Sequence, residues 1–312
     1  MTLYATGFNA WNQLQFEALR VEEPNDIVSF TRVLHGDDVS SVRTFLSYTR
    51  VKTDDGEWRE AGLVPKAHER LRMFNECLYA KFVEASNGVV VAHDGVETLV
   101  QHSSMRNLLA KDKPSNTFSG FRDLTQLVAY ETGFAALTST GQVWTWGDER
   151  YTACLGRESS DDSPASAPGP VTDLDDLPTG PVTKLAGGGY VLAALTAGGD
   201  LYCWGHAGRS TYLDGLSDAP APVVVVDDKD VVDVAVGDAH MLVLTDDGEV
   251  YVLGDNANGQ LGLPGVAAAE TWTRVDLASV LAEGEAVAGV AAGPKSSFLI
   301  TRQREQQQPQ KQ

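Results

Sequence analysis

Three cysteines occur in 312 residues, Cys77, Cys154 and Cys203. An odd, scattered set cannot build a disulfide framework, so a reducing compartment, cytosol or nucleus, is the expected location. No run of 18 apolar residues is present, which leaves nothing of the length a membrane-spanning helix needs, and no membrane association is expected. The first residues lack a basic segment followed by an apolar one, so no secretory signal is expected either. Positive charge is scarce: 24 lysines and arginines stand against 43 acids, a net charge of −19. A general nucleic-acid binder needs clustered Lys and Arg to displace counterions, so nucleic acid is not an expected partner. The deficit is uneven, because 14 of the bases but only 18 of the acids fall in residues 1–140. Catalytic signatures are missing too, with no nucleophile elbow and no metal-ligand spacing. We therefore assign no catalytic residue, no metal and no cofactor, and expect a protein that works without chemistry of its own.

What the chain does have is glycine, 30 of them, and a repeat. Three copies are clear: "GFAALTSTGQVWTWGDERYTACLGR" from Gly133, "GYVLAALTAGGDLYCWGHAGRS" from Gly189 and "DAHMLVLTDDGEVYVLGDNANGQLG" from Asp238. Each is an apolar run, a Thr, a glycine turn, an apolar-aromatic run and a closing Gly. Thr138, Thr196 and Thr245 step by 58 and then 49, as do Gly147, Gly205 and Gly254. "TSTGQV", "TAGGDL" and "TDDGEV" place Gly where a tight hairpin turn needs positive φ. In the second run large residues alternate, Trp144 with Trp146, Tyr202 with Trp204, Tyr251 with Leu253, so each hairpin carries a bulky face that a neighbouring sheet must cover.

The two ends complete each other. "LYATGFNAWNQLQF" from Leu3 shares six of fourteen positions with "VYVLGDNANGQLGL" from Val250. It is a second half-unit with no first half before it. "VAGVAAGPKSSFLIT", ending at Thr301, is a first half-unit followed only by "RQREQQQPQKQ". Pairing them in one sheet closes a ring and removes an exposed edge. First-half runs recur near Leu46, Val90, Ala136, Ala194, Val243 and Leu299, which predicts an all-β propeller of six four-stranded blades. A seventh would need a blade disguised in 65–85, where Leu71, Phe74, Leu78 and Phe82 suit a helix. The expected organisation is one propeller domain over 1–302 and a disordered polar tail over 303–312.

At this point "VYVLGDNANGQLGL" and "VWTWGDERYTACLG" resemble the repeats of the regulator of chromosome condensation family, over 127–302 and over the first 16 residues, and less so over 20–125. The resemblance implies a β-propeller that binds protein on one face. Some family members are guanine-nucleotide exchange factors for small Ras-like GTPases; others are scaffolds or inhibitors. The absence of a basic N-terminal arm departs from the chromatin-bound exchange factor. The short layout is similar to the fungal propeller that partners a small CSL zinc protein in diphthamide synthesis and tRNA wobble-uridine modification. The resemblance therefore implies a protein partner, a small CSL zinc protein or a small GTPase, and a monomer or heterodimer in cytoplasm or nucleus.

Several constellations have plain structural readings. "GGGY" at 187–190 leads into the strand-like "VLAALT" and not into a helix, so it reads as a repeat turn, not a phosphate cradle. Cys203 and His206 form a C-x-x-H pair without further ligands, and Cys203 reads as core. His240 reads as a turn-bonding residue near the channel. Asn9, Asn256, Gln13 and Gln260 read as loop-organising side chains. Left over are loop aromatics and acids: Trp11, Trp272, Asp148, Glu149, Asp161, Asp162, Asp173, Asp175 and Asp176. Exposed aromatics are favoured binding anchors, and an acidic surface steers a basic partner, so these nine are the expected partner-binding face.

Overall fold

The computed structural model describes residues 1–17, 21–36, 39–69, 81–206 and 216–304. They form six antiparallel sheets. Blade 1 holds, from the rim inward, Ile27–His35, Thr2–Gly7, Ser296–Gln303 and Glu285–Gly293. Written from the channel outward, blade 2 is Val39–Thr44, Tyr48–Thr53 and Trp58–Gly62, and blade 3 is Lys81–Glu84, Val90–His93, Thr98–His102 and Asn116–Ser119. Blade 4 is Leu124–Ala129, Gly133–Thr138, Val143–Gly147 and Gly169–Pro170. Blade 5 is Val182–Gly188, Val191–Thr196, Leu201–Gly205 and Ala221–Val223. Blade 6 is Val231–Val236, His240–Thr245, Val250–Asp255 and Ala268–Arg274. The protein is a six-bladed β-propeller, with three strands in blade 2 among the described residues.

Closure is as the half-units require. Thr2–Gly7 pairs in unbroken register with Ser296–Thr301, from Thr2↔Thr301 to Gly7↔Ser296. The strand alternates between its neighbours. Leu3 and Ala5 join the apolar cluster with Val39 and Val51 of blade 2. Tyr4 joins the one with Leu242 and Val252 of blade 6. Thr2 Oγ1 and Tyr4 Oη each donate to the Glu285 carboxylate at 2.7 Å, tying head to tail a second time.

Apolar clusters also fill the interfaces of blades 3 and 4, 4 and 5, and 5 and 6. Trp146 and Trp204, both fully buried, are the largest plugs. Blades 2 and 3 meet differently. Arg43 lies 5.1 Å from the Trp58 ring centroid and 4.8 Å from that of Phe82. Arg50 pairs with Glu60 at 2.9 Å, and His68 bridges Tyr48 (2.5 Å) and Glu84 (3.1 Å). This seam adds charged and aromatic side chains to an aliphatic cluster of Val90, Ala92, Met105 and Leu108 on blade 3, in keeping with the weaker repeat signal over 20–125.

The helix expected over 65–85 is corrected in part. The described pieces are a single turn, Lys66–Glu69, and the strand Lys81–Glu84, so Phe82 lies on an inner strand. Leu71, Phe74, Leu78 and Cys77 fall outside the described residues. The run near Leu46 is the strand Tyr48–Thr53, and Leu46 lies in the turn two residues before it.

Candidate protein-binding face

Strand direction assigns the described loops to one of two faces. Inner strands run toward a face carrying the turns at 45–47, 85–89, 130–132, 189–190, 237–239 and 294–295. The loops from third to fourth strands emerge on that same face. Hairpin tips such as 139–142, 197–200 and 246–249, with the connections that follow fourth strands, lie on the opposite face.

The first face has a stitched rim. Asn87 N donates to Glu131 O (3.2 Å), Glu131 N to Gly189 O (2.7 Å), Asp238 N to Pro294 O (3.1 Å) and Phe8 N to Lys295 O (2.9 Å). The rim surrounds a central channel of about 570 Å³ lined by all six inner strands. The "GGGY" glycines belong to this rim. A Cβ on Gly188 would meet Val236 O at 2.4 Å, and one on Gly189 would meet Asp238 O at 2.2 Å. Close approach of blade 6 explains these glycines, and no ligand is needed. Burial first, and the Glu131 charge second, push Asp238 up to about 6, while Lys295 and a backbone N–H from Gly189 pull it back.

Channel side chains clasp neighbouring blades. Gln126 exchanges two bonds with Leu185, one from Nε2 to the carbonyl and one to Oε1 from the amide. Lys184 pairs with Asp233, which accepts in turn from Val290 N at 2.8 Å. Lys81 donates to the carbonyls of Leu124 and Thr125. Burial drives His240 down to about 4. Its Nε2 lies 2.9 Å from Ser297 Oγ, which itself donates to Gln260 O at 2.6 Å. With the hydroxyl proton committed to a carbonyl, His240 supplies the donor, and the pair bonds loop to sheet without the geometry of a nucleophile and its base. The expectation that His240 bonds a turn is corrected: its ring meets the side chain of Ser297, a residue of the strand Ser296–Gln303. Burial raises Cys154 to about 11 and Cys203 to about 12, so both thiols are core groups.

The repeated Asn and Gln residues do the same work twice. Asn9 Oδ1 accepts from Leu14 N (3.0 Å), and Asn256 Oδ1 from Leu261 N (2.8 Å). Gln13 Oε1 accepts from Trp11 N, and Gln260 Oε1 from Asn258 N, both at 2.9 Å. Asn12 takes φ of 60° where the other copy has Gly259 at 81°.

This organised loop holds Trp11 outward, 36% exposed, edge-on to Phe8 with ring centroids 5.3 Å apart. Gln13 Nε2 reaches Leu46 O, and Leu63 N donates to Ser47 O at 2.8 Å, so exposed Leu46 and Leu63 extend the patch onto blade 2. Asp148, Glu149, Asp161 and Asp162 occupy the blade 4 loop on the same face. Asp148 is held down to about 2 by its bonds from the Arg150 side chain. The other expected residues separate from these. Asp173, Asp175 and Asp176 follow the outer strand Gly169–Pro170 and lie on the opposite face. Trp272 is within the outer strand of blade 6, half-buried against the cluster of Val225 and Tyr251. The nine residues therefore do not share a face, because one long insert, 157–181, crosses from one face to the other through a two-residue strand. Reading the sequence alone missed Phe8, Leu46, Leu63, Glu131 and Asp238. Their signal was positional: each stands at or next to the turn or loop that follows a first or third strand.

The family model described as regulator of chromosome condensation (RCC1) repeat matches residues 231–260, the inner three strands of blade 6 and the loop after them. The match is to one repeat of that family. Among curated relatives, the mitochondrial RCC1 domain-containing protein RUG3 of Arabidopsis thaliana is 35% identical over 141 residues, 44% of this chain and 30% of that protein. The regulator of chromosome condensation of Homo sapiens is 33% identical over 162 residues, 50% of this chain and 36% of that one. The matches thus span about a third of these relatives' length. Among solved structures, Prp20p of Saccharomyces cerevisiae, described with its binding to Gsp1p and histones, superposes with a TM-score of 0.67 at 13% identity, covering 97% of this chain and 91% of that one. Human WBSCR16 gives 0.60 at 18% identity, covering 96% and 81%. At such identities the likeness is one of fold, a β-propeller.

Proposed function

We propose that this RCC1-repeat propeller is a non-enzymatic binding subunit that receives a protein partner on the face bearing the channel rim. One observation carries the reading: the Trp11–Phe8 ring pair and the exposed Leu46 and Leu63 of the adjoining blade share that face with the acidic loop of Asp148, Glu149, Asp161 and Asp162. An apolar anchor on blades 1 and 2, with fixed negative charge across the ring on blade 4, suits a partner that carries an apolar contact and, apart from it, Lys and Arg. The partner class from the resemblance, a small CSL zinc protein serving tRNA wobble-uridine modification and diphthamide synthesis, is the finer proposal, in cytoplasm or nucleus.

A second reading is exchange-factor activity on a small Ras-like GTPase. It is favoured by the RCC1 match and by the likeness to Prp20p, a protein described as binding Gsp1p. Capture of partners with and without GDP, followed by mass spectrometry, separates the two. A scaffold holds its partner regardless of nucleotide, whereas an exchange factor holds only a nucleotide-free GTPase and speeds release. Trp11→Ala is expected to weaken capture by roughly tenfold or more, as loss of an aromatic anchor does. Asp161→Lys with Asp162→Lys should slow association, while Asp173→Lys with Asp175→Lys, on the far face, should not. Equal effects from both charge-reversal pairs would remove this face from consideration.

A further inference from the structure

The blade 4 loop closes around one guanidinium. Arg157 Nε donates to Thr145 O (3.3 Å), Nη1 to Glu158 O (3.2 Å), Ser163 O (3.1 Å) and Ser163 Oγ (3.0 Å). Nη2 donates to Thr145 O (3.1 Å), Pro164 O (3.1 Å) and Ala167 O (3.0 Å). A Cβ on Gly169 would meet Arg157 Cζ at 2.4 Å, so the side chain is held on the outer strand as well. Every one of these acceptors is neutral. Among the described residues no carboxylate pairs with Arg157, although Asp161 and Asp162 lie exposed in the same loop. An arginine cannot shed its proton in a protein, so a half-buried fixed charge stands here compensated only by dipoles.

Ser163 is where a counter-charge could be added. Its Oγ already touches Nη1 at 3.0 Å, and its hydroxyl proton is used by no described group. Its backbone is held in a tight loop by Ser160, which accepts from Ser163 N through both its carbonyl and its Oγ at 3.2 Å. Pro164 follows, exposed. A Ser-Pro step in a solvent-facing loop is the substrate form of proline-directed protein kinases. Ser163 itself is half-buried; Ser159 and Ser160 are exposed, but neither bonds Arg157. We infer that Ser163 is a phosphorylation site whose phosphoryl group docks on Arg157.

In the transfer, Ser163 Oγ attacks the γ-phosphorus of a nucleoside triphosphate held by the kinase. The Oγ–P bond forms, the bond between that phosphorus and the β,γ-bridging oxygen breaks, and the nucleoside diphosphate leaves. The hydroxyl proton passes to the kinase's base. The product adds roughly −1.5 to −2 charge beside Nη1 and converts a neutral contact into charge-assisted hydrogen bonds. It ties the loop to its keystone and deepens the acidity of the face that carries Asp161 and Asp162. The site does not depend on the binding reading above.

The test uses the full chain, a proline-directed Ser/Thr kinase and MgATP. Fragment mass spectrometry is expected to place one phosphate on Ser163 and none on the S163A variant. Phosphorus NMR then follows the second ionisation of the phosphoserine. Docking should lower it by about one unit relative to the same phosphoprotein unfolded in urea, since an opposite charge within contact favours the dianion. By linkage the amides of 158–167 should exchange about tenfold more slowly in the dianion. R157Q, checked for an unchanged fold by circular dichroism, should abolish both effects, and R157K should keep part of the shift because it keeps the charge. Modification at Ser159 or Ser160 alone, or an ionisation equal in the folded and unfolded states, overturns the proposal. So does a shift that survives R157Q.

Discussion

Replacing Leu3 by Ala tests whether the ring is one cooperative object. Leu3 is wholly buried in the cluster that holds Leu14, Leu34, Phe298, Val39 and Val51, so it packs blade 1 onto blade 2. Truncation removes buried methyl groups and leaves a cavity at a site hemmed by sheet on both sides. The expected loss is about 3 kcal/mol. Unfolding entropy of about 2.1 cal/mol/K per residue makes that a fall in melting temperature of about 5 °C for a chain of this size. Location is the sharper point. The same strand places Tyr4 in the interface with blade 6, so releasing it opens two interfaces at once. In a closed ring the loss must be shared, and exchange of the Ala135 and Ala136 amides in blade 4 should accelerate on the order of a hundredfold, matching blade 1. Calorimetry gives the first number and native-state hydrogen exchange the second. If blade 1 amides alone lose protection while blade 4 keeps its own, the head strand is a fraying end and the closure argument is wrong.

Other expectations follow from single contacts. Burial tends to raise the Glu285 carboxyl, but donors from Thr2, Tyr4 and Ala282 outweigh it and hold it below the ordinary value. Its stabilisation is therefore present above the unfolded-state value of roughly 4.3 and is lost as pH falls through the folded one. E285Q should cost about 1.5–3 kcal/mol at neutral pH, a gap to wild type that narrows on acidification in urea titrations. His240 has the opposite proton preference, being kept neutral by burial down to about 4. The unfolded chain binds its proton from roughly pH 6.5 downward, so stability should decline between those values, and H240Q should flatten that slope. Gly205 has φ of 126°, and a Cβ there would meet Tyr190 O at 2.1 Å, so G205A should destabilise by about 2 kcal/mol or more in chemical denaturation.

The glycine turns, the alternating aromatic strands and the split terminal unit were legible in the sequence because hairpins and blade closure are written in local pattern. Thr138, Thr196 and Thr245 marked the turns, and the match between Leu3–Phe16 and Val250–Leu263 foretold the shared sheet. Blade count followed from repeat spacing. What local pattern could not carry was the side of the ring on which a loop emerges. Asp162 and Asp173 are eleven positions apart in one insert, yet the strand Gly169–Pro170 carries the chain between them from one face to the other. Trp272 looked like a loop residue until its pairing into blade 6 half-buried it. The charged seam of blades 2 and 3, the Arg157 keystone and the patch joining Trp11 to Leu46 are likewise products of tertiary structure. Hydrogen-bond pattern and hydrophobic period are properties of neighbours in the chain, whereas a surface is assembled from turns some fifty residues apart, and only the closed ring brings them together.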